Sequence, residues 1–529
     1  MSESVRTEGL MVGRDWCPTV DTARCTNPTA FVIFGATGDL AWRKLVPAVY
    51  SLTADDLLPC GLPIVCIGRR ADNLTGLADW LREGVALHAR KKPVDDHLWK
   101  QMASRIQYVQ GDLEDPATYQ TLREVFDWAD RNCGGPIGRL LYMATPPQTF
   151  PDLFRRLSMH GVVTPNATGD HWSRVVVEKP FGRDLASAQD LNRLVTGLFA
   201  EEQIYRMDHY LGKETVQNLA VLRFANSIFE PLWNERHIDH VQITMAESVG
   251  IEGRAGFFDA AGTLRDVVQN HVLEMLALVA MEPPVAMDPD ALRDEKLKVL
   301  RSLRPLLGEE IDRSVVRGQY GPGQVDGAEA PGYRQEPRVP EDSQTETFVA
   351  LRVYIDNWRW GGVPFYLRAG KRLRRRETEI VIAFKQAPHL VFGGRRQDVG
   401  RNRLTIRIQP HEGIHLCFAA KRPGPGLEID PVPMEFFYER AFAHEPPEAY
   451  ERLILDAITG DRTLFARGDG VEASWRLVTP ILRRWEASPR GPAEYPAGSW
   501  GPSEADRLIA ATGHRWQNPD DETDHCHCG

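Results

Sequence analysis

The sequence predicts two domains of different class: an α/β N-terminal domain on a doubly wound parallel sheet, and an α+β C-terminal domain on a large, mainly antiparallel sheet. Three observations carry this. The chain has 529 residues, more than one core ordinarily fills. From residue 29 to about 203, short apolar runs alternate with helical segments, the pattern of parallel strands joined by crossover helices. From residue 346 onward, strand-like runs follow one another with little room for crossovers, which implies antiparallel neighbours. The expected domains are 29–203 and 204–510, with tails at 1–28 and 511–529.

The first strand is Thr29–Phe34 (TAFVIF), rich in β-branched and aromatic residues and closed by glycine. Similar runs recur at Pro63–Gly68, Arg105–Val109, Arg139–Ala144 and Arg174–Val177, separated by helical stretches such as Leu74–Ala89 and Pro116–Arg131. Gly35-Ala36-Thr37-Gly38-Asp39-Leu40 follows the first strand directly. The three-glycine pattern G-x-G-x-x-G is absent. A glycine turn between a first strand and a helix still lets backbone N–H groups approach a pyrophosphate, as in Rossmann-like domains. The competing reading is a tight turn without a ligand. Gly68-Arg69-Arg70 ends the second strand, where such folds meet the adenosine ribose. Arginines there, rather than an acid, favour the 2′-phosphate of NADP over the 2′-hydroxyl of NAD; the alternative is a solvated basic turn. Thr145-Pro146 and Glu178-Lys179-Pro180 follow the fourth and fifth strands, at the carboxyl edge where ligands bind. Lys179 reads either as a salt-bridge partner of Glu178 or as a pocket cation.

In the second domain a helix near Lys213–Ala225 is followed by a strand at His240–Ala246 and a long helical segment near Ala260–Met281. Residues 318–342, rich in Gly and Pro, read as an ordered excursion or loop. Strands are then expected at 346–355, 363–369, 378–385, 403–409 and 414–420, and helices at Glu448–Thr459 and Glu472–Trp485.

Composition excludes several classes. Hydrophobic residues make up 42% and charged residues 26%, with a net charge of −10, the profile of a soluble globular protein and unfavourable for binding duplex nucleic acid. No apolar run approaches the ~18 residues of a membrane span, and the N-terminus lacks the pattern of a signal peptide. Eight cysteines are scattered without a framework spacing, which fits a reducing cytoplasm. The terminal Asp524-His525-Cys526-His527-Cys528-Gly529 offers soft-metal ligands, against the alternative of a frayed end.

The densest chemistry lies in Arg206-Met207-Asp208-His209-Tyr210-Leu211-Gly212-Lys213-Glu214. So many polar groups either stay on the surface or line a polar pocket. The order of residue types resembles the active-site signature of the glucose-6-phosphate dehydrogenase family. Arg265-Asp266-Val267-Val268-Gln269-Asn270-His271 resembles the same family's R-D-(V/M)-x-Q-N-H segment, GATGDLAWRKLVPAVY its nucleotide loop and helix, and Leu367–Leu373 its R-x-G-K-x-L motif. The resemblance covers most of residues 29–487. Trp42 departs from it, because the family usually has a basic residue there. Pro47 conforms to it but is awkward inside a helix, so a local accommodation is expected.

The resemblance implies an enzyme that oxidises glucose 6-phosphate with NADP, needs no metal, and forms a homodimer or homotetramer. It implies His271 as general base, a residue type that is largely neutral at pH 7 yet accepts a proton, with Asp208 as its orienting carboxylate. A lone histidine on a long helix is otherwise usually structural. It also implies phosphate binding by His209, Tyr210 and Lys213, and substrate contacts by Lys179, Glu247, Asp266, Lys371, Arg376 and Gln409. Cofactor contacts fall on Gly35, Thr37, Gly38, Asp39, Leu40, Lys44, Arg69, Arg70, Thr145, Pro146, Glu178 and Lys179. Some members hold a second, structural NADP; Glu377 stands where those have a basic residue, and a carboxylate there opposes a phosphate. The rivals are a dehydrogenase of another sugar, which would lack the phosphate trio, and a non-catalytic NADP-binding relative.

Overall fold

The computed structural model describes residues 28–59, 61–69, 74–163, 172–389, 391, 400–442 and 447–518. Residues 1–27, Arg70 and the Cys/His-bearing end (519–529) lie outside the described residues. The chain divides into two compact units. The first comprises the described residues up to Gly182, with Ala186–Gly212 and Pro447–Gly468. Its sheet has six parallel strands: β1 (Thr29–Phe34), β2 (Ile64–Gly68), β3 (Ile106–Gln110), β4 (Gly138–Met143), β5 (Ser173–Val177) and β6 (Ile204–Arg206). Their order, β3-β2-β1-β4-β5-β6, is that of a Rossmann-like dinucleotide domain. Every residue of β1 and β2 is buried, as expected of strands covered on both faces.

The expected boundary near residue 203 is corrected in two places. β6 pairs with β5 (Val175↔Ile204 to Val177↔Arg206), so the unit runs on to Gly212. The segment Pro447–Gly468 then returns to it from far along the chain. Its helix, Ala449–Thr459, places Leu453, Ile454 and Ala457 in the first unit's core. Arg90 bridges Asp55 (2.5 Å) and Glu451 (2.6 Å), and Arg174 Nη1 donates to the carbonyls of Ala457 (2.9 Å) and Ile458 (2.7 Å). Glu451, Ala457 and Ile458 lie hundreds of residues from Arg90 and Arg174, so local pattern cannot announce these contacts.

The second unit comprises Arg183–Leu185, Lys213–Pro446 and the chain from Asp469. It is built on β7 (Ile238–Ala246), β8 (Val315–Gly321), β11 (Phe348–Tyr354), β12 (Pro364–Gly370), β13 (Glu377–Phe384), β14 (Arg403–Gln409), β15 (Gly413–Lys421), β16 (Ile429–Phe437) and β17 (Ala493–Pro496), with a small hairpin of β9 (Gly323–Val325) and β10 (Ala328–Ala330). The nine-stranded order is β16-β15-β14-β13-β7-β12-β11-β8-β17. Only β7–β12 and β17–β8 pair in parallel; the rest are antiparallel. β16 escapes the sequence reading because Pro431 and Pro433 demote it. Both prolines are tolerated because this strand forms an edge of the sheet. The excursion at 318–342 contributes part of β8 and the hairpin. Residues 511–518 were expected to be tail and are not: Trp516 is buried, its Nε1–H donates to the Ala505 carbonyl at 3.0 Å, and the Gln517 N–H donates to Gln242 Oε1 at 2.9 Å. Of the described cysteines, Cys66 and Cys133 are in no disulfide and Cys417 is disulfide-bonded, a pairing that the spacing did not suggest.

Candidate active site

In the first unit the turn after β1 is fixed by Gly35. Its φ is +88°, and an added Cβ would stand 2.8 Å from the Ala144 carbonyl oxygen, so conformation and space both demand glycine. The N–H groups of Gly35 and Ala36 donate to the Ile67 carbonyl at 3.0 Å, and that of Gly38 to the Gly35 carbonyl at 3.0 Å. Thr37 lies over Gly68, where a Cβ would approach Thr37 Cγ2 to 2.9 Å. Leu40 leads into the helical segment Ala41–Leu45, where the Trp42 N–H donates to the Gly38 carbonyl at 3.3 Å; a helix start of this kind suits an anion.

The accommodation expected at Pro47 is visible. Residues Ala41–Leu45 are wound as a π-type turn, and Pro47 then occupies the first turn of the α-helix Val46–Ala54, where no N–H is needed. Trp42 turns to packing. Its Nε1–H donates to the Trp80 carbonyl at 2.9 Å, its ring stacks on Trp80 with centroids 6.2 Å apart, and Gly84 leaves it room. Lys44 Nζ pairs with Glu448 at 2.9 Å. Asp39 is exposed and pairs with Arg43 at 2.9 Å. Arg69 is exposed.

At the other end of the sheet's carboxyl edge, Thr149 Oγ1 bonds the Thr145 hydroxyl and the Pro146 carbonyl, both at 2.8 Å. Glu178 Oε1 accepts the Tyr142 hydroxyl at 2.5 Å and the Tyr450 hydroxyl at 3.2 Å. Burial pushes its carboxyl up, and the two hydroxyls and Lys179 work against that. Asp208 is 4% exposed and accepts the Tyr210 N–H at 2.9 Å. His209 stacks on Tyr450, with centroids 6.1 Å apart and planes 18° from parallel. Tyr142, Glu448 and Tyr450 were missed in the sequence: Tyr142 reads as a core strand residue, and the other two sit in a helix remote from every motif.

In the second unit Lys213 precedes the helix Glu214–Phe224, and its Nζ donates to Gln409 Oε1 at 2.5 Å. Arg376 Nη2 reaches the same oxygen at 3.0 Å, while Gln409 Nε2 donates to Thr378 Oγ1 at 2.9 Å. Two predicted residues, Lys213 and Arg376, thus converge on the amide of a third, Gln409. Glu247, just after β7, pairs with Lys371, which is 4% exposed. Asp266 and His271 lie on a segment, Leu264–Val272, wound with i→i+5 bonds. Residues five apart stand about 140° apart around an ordinary α-helix; the wider winding brings them towards one face. His271 is 2% exposed, and its N–H donates to Asn270 Oδ1 at 2.6 Å. Glu377 is 4% exposed with Arg375 Nε at 3.3 Å. Burial, then Glu379, pushes its carboxyl up to about 7.

A Rossmann-like sheet with a glycine turn, joined to a unit carrying a histidine, acids and clustered cations, defines an NAD(P)-dependent oxidoreductase. Residues 32–218 match the glucose-6-phosphate dehydrogenase NAD-binding domain, and residues 220–517 match the glucose-6-phosphate dehydrogenase C-terminal domain. The chain belongs to the glucose-6-phosphate dehydrogenase family. It is 45% identical to glucose-6-phosphate 1-dehydrogenase 2 of Mycobacterium tuberculosis (strain ATCC 25618 / H37Rv) over 94% of this chain and 96% of that one. It is 46% identical to glucose-6-phosphate 1-dehydrogenase of Mycolicibacterium smegmatis over 93% and 97%. A solved glucose-6-phosphate dehydrogenase in complex with its substrate glucose-6-phosphate superposes with a TM-score of 0.84 at 36% identity, covering 94% and 99%. The Mycobacterium avium enzyme gives 0.79 at 39%, covering 93% and 99%.

Proposed function

We propose that the protein oxidises β-D-glucose 6-phosphate to 6-phosphoglucono-1,5-lactone with NADP, the entry step of the oxidative pentose phosphate pathway. The observation that carries it is the meeting of Lys213 and Arg376 on Gln409 Oε1. Two cations brought to one oxygen concentrate positive potential there, which favours an anion, and the substrate supplies a phosphate. His209 and Tyr210 complete the phosphate contacts. Lys179, Glu247, Asp266 and Lys371 hold the sugar. His271 takes the C1 hydroxyl proton, and Asp208 orients it and stabilises the imidazolium. NADP, when bound, supplies the hydride acceptor. Gly35, Thr37, Gly38, Asp39 and Leu40 cradle its phosphates, Arg69 and Arg70 take its 2′-phosphate, and Lys44, Thr145, Pro146, Glu178 and Lys179 surround the rest. The buried carboxylate of Glu377 argues against a second NADP. The working form is a cytoplasmic homodimer or homotetramer; among the described residues, no helix is long and apolar enough to cross a membrane.

The test is absorbance at 340 nm with glucose 6-phosphate or glucose and with NADP or NAD. Reduction with glucose 6-phosphate and NADP should exceed the other pairings; a preference for free glucose would point to a dehydrogenase of another sugar, and no reduction at all to a non-catalytic relative. His271→Asn should cut kcat by about 10²–10⁴, the worth of a positioned base. Asp208→Asn should also slow kcat, and the double variant should lose less than the two losses combined. Near-wild-type single-turnover hydride transfer in His271→Asn would remove it as the base.

A further inference from the structure

The helical segment that carries Asp266 and His271 begins at a break. Gly262, near the end of the stretch Ala255–Thr263, has φ +69° and ψ 171° and interrupts the helix just before the wide winding that starts at Leu264. A Cβ on Gly262 would stand 2.4 Å from Oε1 of Glu346. That carboxylate is 5% exposed and accepts the Leu264 N–H at 3.0 Å, and the Glu346 carbonyl accepts the Thr263 N–H at 3.1 Å. Glu346 therefore satisfies donors at the start of the segment, the place of an N-cap, although it lies 82 residues from Leu264.

Its neighbours bind the helix on the near side of the break. Ser343 Oγ donates to Asp259 Oδ1 at 2.5 Å, and Thr345 Oγ1 to the Asp259 carbonyl at 2.6 Å. One residue past Glu346, the Thr347 carbonyl accepts the Lys371 N–H at 2.9 Å. Residues 343–347 thus form a strap bonded at Ser343 and Thr345 to the helix before the break, at Glu346 to the start of the segment of Asp266 and His271, and at Thr347 to the lysine that pairs with Glu247. Burial pushes the Glu346 carboxyl up, while the Leu264 N–H, Arg265 and Arg317 favour its charged form.

We infer that Glu346 is a positioning residue for the oxidation, acting on kcat through His271. It holds the break at Gly262 and so sets the phase at which the Asp266 and His271 side chains leave the helix. Without the cap, the segment is free to relax to i→i+4 winding, which separates residues five apart to about 140°. The inference rests on His271 being the base.

The experiment compares Glu346→Ala and Glu346→Gln in the full-length enzyme, each in the wild-type and His271→Asn backgrounds. Glu346→Ala should lower kcat about 10- to 100-fold, the usual cost of misplacing a reacting group, with KM for NADP unchanged. Glu346→Gln, which keeps the acceptor oxygen, should recover most of that loss. In the His271→Asn background, Glu346→Ala should cost little more, because its effect passes through the missing base. An equal loss in both backgrounds, or wild-type kcat in Glu346→Ala, overturns the inference. If Glu346→Ala does not fold, Glu346→Asp, one methylene shorter, is read the same way. Near-wild-type kcat in His271→Asn alone would instead overturn the functional assignment, so the two failures are distinguishable.

Discussion

At the scale of single residues, the proposed phosphate contacts depend on where charge is held. Lys213 donates to the neutral oxygen of Gln409. Near it, burial pushes the Glu412 carboxyl up and Lys213 opposes that. Lys213→Ala should raise KM for glucose 6-phosphate and lower kcat as remote binding energy is lost. A charge-assisted contact is worth about 1.5–3 kcal/mol, so kcat/KM should fall roughly 10- to 100-fold, with KM for NADP nearly unchanged. If activity on free glucose falls as far, Lys213 serves structure or cofactor instead. Arg70→Ala should shrink the NADP-over-NAD preference by a similar factor. An unchanged kcat/KM ratio for the two cofactors would take Arg70 away from the 2′-phosphate.

At the scale of elements, the returning helix Ala449–Thr459 matters most for the first unit. It contributes core side chains, and Tyr450 and Glu448 reach Glu178, His209 and Lys44 from its start. Arg90 is the tie: its side chain is 9% exposed and that of Glu451 2%. Removing one member of a buried pair leaves an uncompensated charge, at a cost of about 3–5 kcal/mol. Arg90→Ala should therefore lower the denaturant midpoint strongly, and amide exchange should rise first in 449–459. Replacing Arg90 and Glu451 together with apolar residues should be much milder than either single change. A single variant with wild-type stability would mean that packing, and not this pair, holds the helix.

At the scale of the whole molecule, an acid-sensitive clasp ties the C-terminal residues to the large sheet. The ladder slips where Ala383 faces His240 and Phe384 faces Ile238, which makes Asp239 a bulged residue. Its Oδ2 receives His240 Nδ1 at 2.9 Å, His514 Nε2 at 3.0 Å and Arg401 Nη1 at 2.7 Å. His514 Nδ1 lies 2.7 Å from the Tyr366 hydroxyl. Gln242 takes the Gln517 N–H on Oε1, gives Nε2–H to the Arg515 carbonyl, and holds Nε2 3.0 Å from His240 Nε2. With that amide pinned, His240 Nε2 must accept, so its ring is neutral with the proton on Nδ1. Burial lowers the His240 pKa, and Asp239 only partly opposes this. A histidine whose folded pKa is depressed contributes stability that is full above its unfolded value, near 6.5, and is lost as pH falls below it. Burial would raise the Asp239 carboxyl, but the His240 and His514 rings and Arg401 overcome this and hold it below the usual range. Its contribution is lost below about pH 4. Tm should fall from pH 7 to 5 and again below 4, with exchange in 511–518 rising in the first step. His240→Asn should flatten that first step; parallel Tm curves would release His240 from the role.

The sequence by itself determined both fold classes, because burial on two faces writes parallel strands as unbroken apolar runs and helix crossovers space them. It also determined the family, because the acids, imidazoles and cations of the site cluster in short motifs such as Asp208–Lys213 and Arg265–His271. Only the tertiary structure decided where the first unit ends, since β6 and the helix Ala449–Thr459 join it through partners such as Arg90 and Arg174 that lie far away in the chain. Only it decided that Ala41–Leu45 and Leu264–Val272 are wound wide. Winding is set by caps and packing, and the cap here is Glu346, which no local pattern links to Leu264. The residue types of a site are local and legible in the chain. Their phase and their neighbours are properties of contacts between distant segments, which exist only once the chain has folded.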